Sequence, residues 1–380
     1  MAMALASFQL AQQVPVGQDV YIFRLCCNCD NTLLAVATSE NTVCILDPAT
    51  LQPACGLQGH TDMVEDLAFY QGSAPLLASC SHDGSARLWD VRASPCAVRT
   101  FEVANSREVY SCSVGRGDTA LACTASEKVY LFDLAQGKRL CTYKECHTDV
   151  VNHVRFHPVR STILFTGAED NLIVALDTNE ANEDQALLGI IPTDECVRSF
   201  TFVGPDRNTV CSASTLEDVR IWDLSEESFG SRRAEFVGLR DNPLLVTEES
   251  GGYVIEAFYD QPSGQVFVLA GAGDAGKVLL FRTTPAGMEP AAVFTSHGES
   301  SAQLQGHTGI IRSAICMPGG TILTAGEDSM LCAWREGPSL GTTDVAGAGS
   351  AAVAEFRFEL EPTSYGAQRG SDVAARPTPY

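Results

Sequence analysis

A bulky residue that closes a short strand and is followed by a polar or basic turn residue recurs seven times in this chain. The pairs are Leu46-Asp47, Trp89-Asp90, Phe132-Asp133, Leu176-Asp177, Trp222-Asp223, Phe281-Arg282 and Trp334-Arg335, spaced 43, 43, 44, 46, 59 and 53 residues apart. One supersecondary unit of this size cannot bury its own apolar face, so copies must stack on one another. In the second interval Gly59-His60 precedes an alternating run, Met63 to Phe69. Leu76 to Ser81, the turn His82-Asp83-Gly84, and Ala86 to Trp89 complete the cassette. Short alternating runs punctuated by Gly, Asp and Ser predict half-buried antiparallel strands. The seventh interval repeats the pattern with Ile310 to Met317, Thr321 to Ala325, Asp328, and Met330 to Trp334.

These residues resemble the WD-repeat family, in which a His, a Ser or Thr, an Asp and a Trp of one blade share a hydrogen-bond network. The matching positions are His60, Ser79, Asp83 and Trp89; His147, Thr166 and Asp170, with Leu176 at the Trp place; and His307, Thr324, Asp328 and Trp334. The fourth repeat, from His147 through the acidic run Asn182-Glu183-Asp184, carries the most distinctive likeness, to one branch of the family. The resemblance implies an all-β, seven-bladed β-propeller over residues 1–338. Its blades fall near 19–57, 58–104, 105–145, 146–192, 193–240, 250–296 and 304–336. The last repeat has only three clear strands, so another segment must close the ring. Ala6-Phe8-Leu10 is expected to do so, ahead of the equally alternating Phe356 to Leu360. Residues 226–249 and 284–305 read as surface insertions, and 339–380, rich in Gly, Ala, Ser, Thr and Pro, as a disordered tail.

Several motifs suggest chemistry. Ser81-His82-Asp83 has the residue types of a catalytic triad, but neighbours on one strand and turn do not converge on a cleft. Gly271 to Lys277 fits the glycine spacing of a phosphate loop. That loop works only when a helix follows, whereas Lys277 to Phe281 reads as a strand and Val278 stands where a magnesium ligand belongs. Cys26-Cys27-Asn28-Cys29 and Cys146-His147 have no second pair at ligand spacing, because alternate strand residues point to opposite faces. No catalytic residue, cofactor or metal is therefore expected. Fifteen cysteines spread through strand positions read as small buried thiols in a reducing compartment, cytoplasmic or nuclear.

A net charge of −22 with only four lysines argues against direct nucleic-acid binding. No run of about eighteen apolar residues supports a membrane span. The first basic residue is Arg24, so no basic leader region is read at the start. Protein partners are expected, and the acidity favours basic ones such as histones or ribosomal proteins. In the resembled family, the third and fifth residues after the repeat histidine and the residue before the turn Asp face partners on the top rim. Here these are Met63, Glu65 and His82; Val150, Asn152 and Glu169; Ile310, Arg312 and Glu327; and, aligned on Val197, Cys196 and Arg198. Trp89-Asp90-Val91-Arg92 also resembles the box by which some propellers dock on a cullin ubiquitin-ligase adaptor, with Arg92 as the contact. The function expected is a non-catalytic scaffold; a ligase substrate receptor and a chaperone-like binder of basic clients are the alternatives.

Overall fold

A computed structural model describes residues 6–72, 74–92, 96–103, 108–247, 250–261, 263–273, 276–295 and 306–337. Strand β1 spans Ala6–Pro15. Five sheets of four antiparallel strands follow in chain order. The first holds β2 (Ile22–Cys27), β3 (Leu34–Thr38), β4 (Val43–Leu46) and β5 (Pro53–Leu57). The second holds β6 (Val64–Phe69), β7 (Leu76–Ser81), β8 (Ser85–Asp90) and β9 (Arg99–Glu102). The third holds β10 (Ser111–Gly115), β11 (Ala120–Ala125), β12 (Lys128–Asp133) and β13 (Arg139–Tyr143). The fourth holds β14 (Val151–Phe156), β15 (Ile163–Ala168), β16 (Leu172–Asp177) and, after the single helical turn α1 (Glu183–Ala186), β17 (Leu187–Pro192). The fifth holds β18 (Val197–Val203), β19 (Thr209–Ser214), β20 (Val219–Asp223) and β21 (Arg232–Phe236).

The remaining strands are β22 (Gly252–Asp260), β23 (Gln265–Ala272), β24 (Val278–Thr284), β25 (Gly287–Thr295), β26 (Ile311–Cys316), β27 (Ile322–Gly326) and β28 (Met330–Gly337). They join β1 in one eight-stranded sheet, ordered β22-β23-β24-β25-β1-β28-β27-β26. The sheet divides where β1 and β25 run parallel, leaving β22 to β25 as one blade and β26, β27, β28 and β1 as another. Leu10 of β1 pairs with Trp334 of β28, so the N-terminal segment supplies the missing strand of the last blade. Phe356 to Leu360 lies outside the described residues. The stretches read as insertions contain β21 and β25, the outer strands of their blades. The cassette supplies only three strands, so the fourth must come from the longer interval between repeats.

The innermost strands touch in cyclic order: β2, β6, β10, β14, β18, β22, β26 and back to β2. One apolar cluster lies at each junction. Leu57 and Trp89 share the first, while Leu34 and Leu323 share the one that closes the circle. The result is an all-β propeller. Trp89, Trp222 and Trp334 each lean on the preceding blade, which turns the repeat's bulky residue into an inter-blade wedge. Gly271 and Ala272 end β23, and β24 pairs antiparallel with it, so the glycine motif leads into a strand. Asp274 and Ala275 lie outside the described residues.

Candidate functional site at the channel rim

Three blades build the same polar relay. His60 Nδ1 lies 2.8 Å from Asp83 Oδ2, its Nε2 2.8 Å from Ser79 Oγ, and Trp89 Nε1 donates to that hydroxyl at 2.8 Å. An indole can only donate and an ionised carboxylate can only accept. The protons therefore run one way, from Trp89 to Ser79 to His60 to Asp83. Burial would push the Asp83 carboxyl up, but His60 and the Ser85 hydroxyl hold it well below the usual carboxylate range. His307 repeats the geometry with Asp328 (3.0 Å), Thr324 (2.8 Å) and Trp334. His147 does so with Asp170 (3.0 Å) and Thr166 (2.8 Å). There, Leu176 offers no indole, and the Thr166 oxygen lies 3.4 Å from Val174 O instead. In each case the carboxylate also accepts the backbone N–H after the histidine: Thr61, Thr148 and Thr308. The fifth blade keeps half of the relay, Trp222 donating to Ser212 at 2.9 Å, which the search for histidines passed over.

The rim residues follow from a second backbone regularity. Six innermost strands carry a β-bulge near their start, between Ile22/Arg24, Val64/Asp66, Val151/His153, Val197/Ser199, Val254/Glu256 and Ile311/Ser313. A bulge leaves one residue outside the ladder and re-aims its side chain. The unpaired residues include Glu65, Asn152, Arg198 and Arg312. Each meets the residue before its blade's turn: Glu65 Oε2 lies 3.5 Å from His82 Nε2, Asn152 Nδ2 3.4 Å from Glu169, Arg198 3.1 Å from Glu217, and Arg312 pairs with Glu327. The backbone beneath is shared too: Met63, Val150 and Ile310 accept from His82, Glu169 and Glu327 N–H at 3.0, 2.9 and 2.8 Å. Cys196 accepts from Thr215 N–H, and its thiol approaches Glu169 O at 3.1 Å.

Glu217 takes the equivalent place beside Arg198, and motif counting missed it because the fifth blade has no repeat histidine to count from. Tyr110 is another: its ring packs edge-on to His82, and its hydroxyl donates to Glu108 at 2.8 Å. Burial is the main cause, and Glu108, Glu169 and Glu65 the further ones, that raise the Tyr110 phenol to about 12. Burial likewise raises the Glu65 carboxyl, with His82 opposing. Within Ser81-His82-Asp83 the side chains diverge: Ser81 Oγ donates to Asp62 O, His82 faces Glu65, and Asp83 turns to His60.

Below the rim lies a charge cluster across the channel. Asp66 of β6 is buried and held by both Arg155 terminal nitrogens (2.7 and 3.1 Å), by Arg24 Nε (3.2 Å) and by the Ser111 hydroxyl (2.7 Å). Burial would raise its carboxyl, yet Arg155 and Arg24 hold it far below the usual range. Single side chains tie each blade's inner part to the next, all of them on innermost strands except Glu217, which lies in the turn between β19 and β20. Ser313 accepts from Leu25 N, Asp66 from Cys112 N, Ser111 from Val154 N, His153 from Phe200 N, Glu217 from Val254 N and Tyr253 from Ile311 N. The Arg24–Asp66 ion pair fills the remaining junction. Inner strands of adjacent blades share no ladder, so these side chains satisfy backbone donors that burial would otherwise strand.

Arg92 is exposed, 3.7 Å from Asp90. No helix among the described residues is long and apolar enough to cross a membrane.

Cyclic blades, a Trp-anchored relay and bulged inner strands are features of a WD-type β-propeller, and the chain carries WD repeats where the profile for "WD domain, G-beta repeat" matches residues 51–90, 137–174 and 298–335. It is similar to WD repeat-containing protein GTS1 of Arabidopsis thaliana, 29% identical over 335 residues that cover 85% of this chain and 83% of that one. It is also similar to the WD repeat-containing protein 89 homolog of Dictyostelium discoideum, 27% identical over 310 residues, 81% of each chain. A shorter stretch of 68 residues, 17% of this chain and 14% of the relative, is 43% identical to the ribosome biogenesis protein ytm1 of Aspergillus oryzae. WD-repeat proteins in general mediate protein–protein interactions.

Proposed function

We propose that this chain is a non-catalytic scaffold of seven blades, five from the separate sheets and two from the eight-stranded sheet, spanning residues 1–338. It binds a protein partner across the rim formed by Met63, Glu65, His82, Val150, Asn152, Glu169, Cys196, Arg198, Ile310, Arg312 and Glu327. The observation that supports this reading is the bulge repeated at one height, which presents acidic, amide, thiol and guanidinium groups side by side on a rigid frame. A protein surface matches such a mixed patch better than a small polar substrate does. Acidic and aromatic groups gather where Glu65, Glu108 and Glu169 surround Tyr110, so a basic partner segment is the better fit there. The ytm1 relative is named a ribosome biogenesis protein, a setting in which basic clients are at hand.

The test is affinity purification with mass spectrometry of the wild type and of a Glu65→Lys, Glu169→Lys, Arg312→Glu variant. Loss of specific partners with thermal unfolding near wild type is expected; an unchanged partner set overturns the rim assignment. The exposure of Arg92 supports a second reading, a ubiquitin-ligase receptor. Co-precipitation of the adaptor, abolished by Arg92→Ala, checks that one.

A further inference from the structure

Propeller blades leave an outer strand with one open edge, and such edges recruit foreign strands unless charge or proline guards them. Five outer strands are open among the described residues: β5, β9, β13, β17 and β21. The edge of β25 is covered by β1. Three of the five carry charge, Arg99 and Glu102 in β9, Arg139 in β13, and Arg232, Arg233 and Glu235 in β21, while β5 is uncharged, has Pro53 at its start and exposes no large aliphatic side chain. β17 reads Leu-Leu-Gly-Ile-Ile-Pro with no charge, its only proline at the far end. Leu187, Leu188 and Ile190 are 43%, 52% and 46% exposed, a cluster of large aliphatic side chains that no other strand shows. Ile191 is buried between the fourth and fifth blades, and the Phe229 ring fills the space beside Gly189. The strand is thus pinned on one face and bare on the other, and the chain around it is acidic. Residues 177–195 hold six carboxylates and no Lys or Arg. Glu180 and Asp184, just upstream, are exposed.

We infer that the edge of β17 is a second interaction surface, separate from the rim, which accepts an extended segment of another protein in which aliphatic residues alternate with Lys or Arg. Backbone pairing along β17 supplies the register, Leu188 and Ile190 take the aliphatic side chains, and the exposed upstream carboxylates Glu180 and Asp184 take the cations, Asp194 and Glu195 being paired with Arg232 and Arg220. This surface goes beyond the rim reading and does not depend on it.

A labelled peptide alternating valine and lysine, titrated into the full chain by fluorescence anisotropy, is the probe. Saturable binding is expected, weakened about tenfold or more by Leu188→Thr with Ile190→Thr, which alters no charge and keeps strand propensity. Unaltered thermal unfolding of that variant shows that it folds. The rim variant Glu65→Lys, Glu169→Lys is expected to bind the peptide as wild type does, so failure here is distinct from failure at the rim. A peptide N-methylated at alternate residues, or one with glutamate in place of lysine, is expected not to bind. Equal binding by the threonine variant, by the N-methylated peptide or by the glutamate peptide overturns the proposal. So does sedimentation that shows a dimer dissolved by the threonine pair with no peptide bound, which would make the edge a self-association surface.

Discussion

At the residue scale, buried charge and the relay make different demands. Asp66 depends on Arg155 for two hydrogen bonds and on Arg24 for a third contact. Removing a partner leaves an uncompensated buried carboxylate. Arg155→Ala is therefore expected to cost about 3–5 kcal/mol in denaturant unfolding. Arg155→Lys should recover little, since an ammonium cannot reproduce the two-pronged contact. Full stability in Arg155→Lys would show that the pair acts through charge alone. The relay is more local. Ser79→Ala strands both the Trp89 indole and a His60 nitrogen, at about 1–3 kcal/mol, whereas Ser81→Ala removes a bond to a loop carbonyl and should cost less. The relay was legible in the sequence because its members recur at nearly the same offsets, 17 to 19 residues from histidine to hydroxyl and 21 to 23 from histidine to carboxylate. The Asp66 cluster was not: its arginines lie 42 residues before and 89 after, on strands that only the closed ring brings together. A signal existed nonetheless. Arg24, Asp66 and Glu256 each follow the bulge of their strand, a register that becomes visible once the blades are aligned.

At the element scale, strand pattern, turn chemistry and the repeat's bulky residue were readable, but which segments became fourth strands was less so. β21 follows an eight-residue loop and β25 a two-residue turn, and neither carries the cassette's turn signature, so their stretches resembled insertions. β1 was readable because Phe8 and Leu10 alternate with polar residues and the last repeat lacked a strand. Phe8 is fully buried, stacks on Phe294 at 4.9 Å, and lies where β1 bridges the blade of β22 to β25 and the blade of β26 to β28. Phe8→Ala is expected to destabilise by about 3–5 kcal/mol and to raise hydrogen exchange in β28 and β25 before other strands. Uniform exchange across all blades would show that β1 is no weaker a junction than the rest. Gly276 tests the glycine motif on its own terms. Its φ is +58°, and an added Cβ would sit 1.8 Å from His307 O. Gly276→Ala is therefore expected to disturb the neighbouring relay and lower Tm. An unchanged Tm would mean the turn can move aside.

At the scale of the whole molecule, the ring answers to pH through two groups of buried residues. Burial, with Arg160 adding to it, lowers the His157 imidazole to about 4. Its Nε2–H donates to Arg207 O, and Nδ1 accepts from the Val159 and Arg160 amides, so the neutral ring is the one that fits. His153 is lowered as well, by burial first and then by Arg155 and Arg24, with Asp66 opposing. The unfolded chain takes up these protons first, near pH 6.5. Stability is therefore complete above that pH and declines as pH falls towards 4. Asp66, Asp83, Asp170 and Asp328 act lower down. Their folded values lie below the ordinary carboxylate value, so the stability they add is present above about pH 4 and is lost as pH drops through the folded values. Glu65 and Glu256 have the opposite sign, raised by burial, and oppose the decline. Two slopes are thus expected in denaturant midpoints against pH, a shallow one between about 6.5 and 4 and a steeper one below. His157→Gln keeps an amide that can both donate and accept but cannot titrate, so it should flatten the shallow slope and leave the steep one. If the variant keeps the wild-type slope between those pH values, His157 is not the group that reports the proton, and His153, facing Arg24, Arg155 and Asp66 across the channel, becomes the residue to replace.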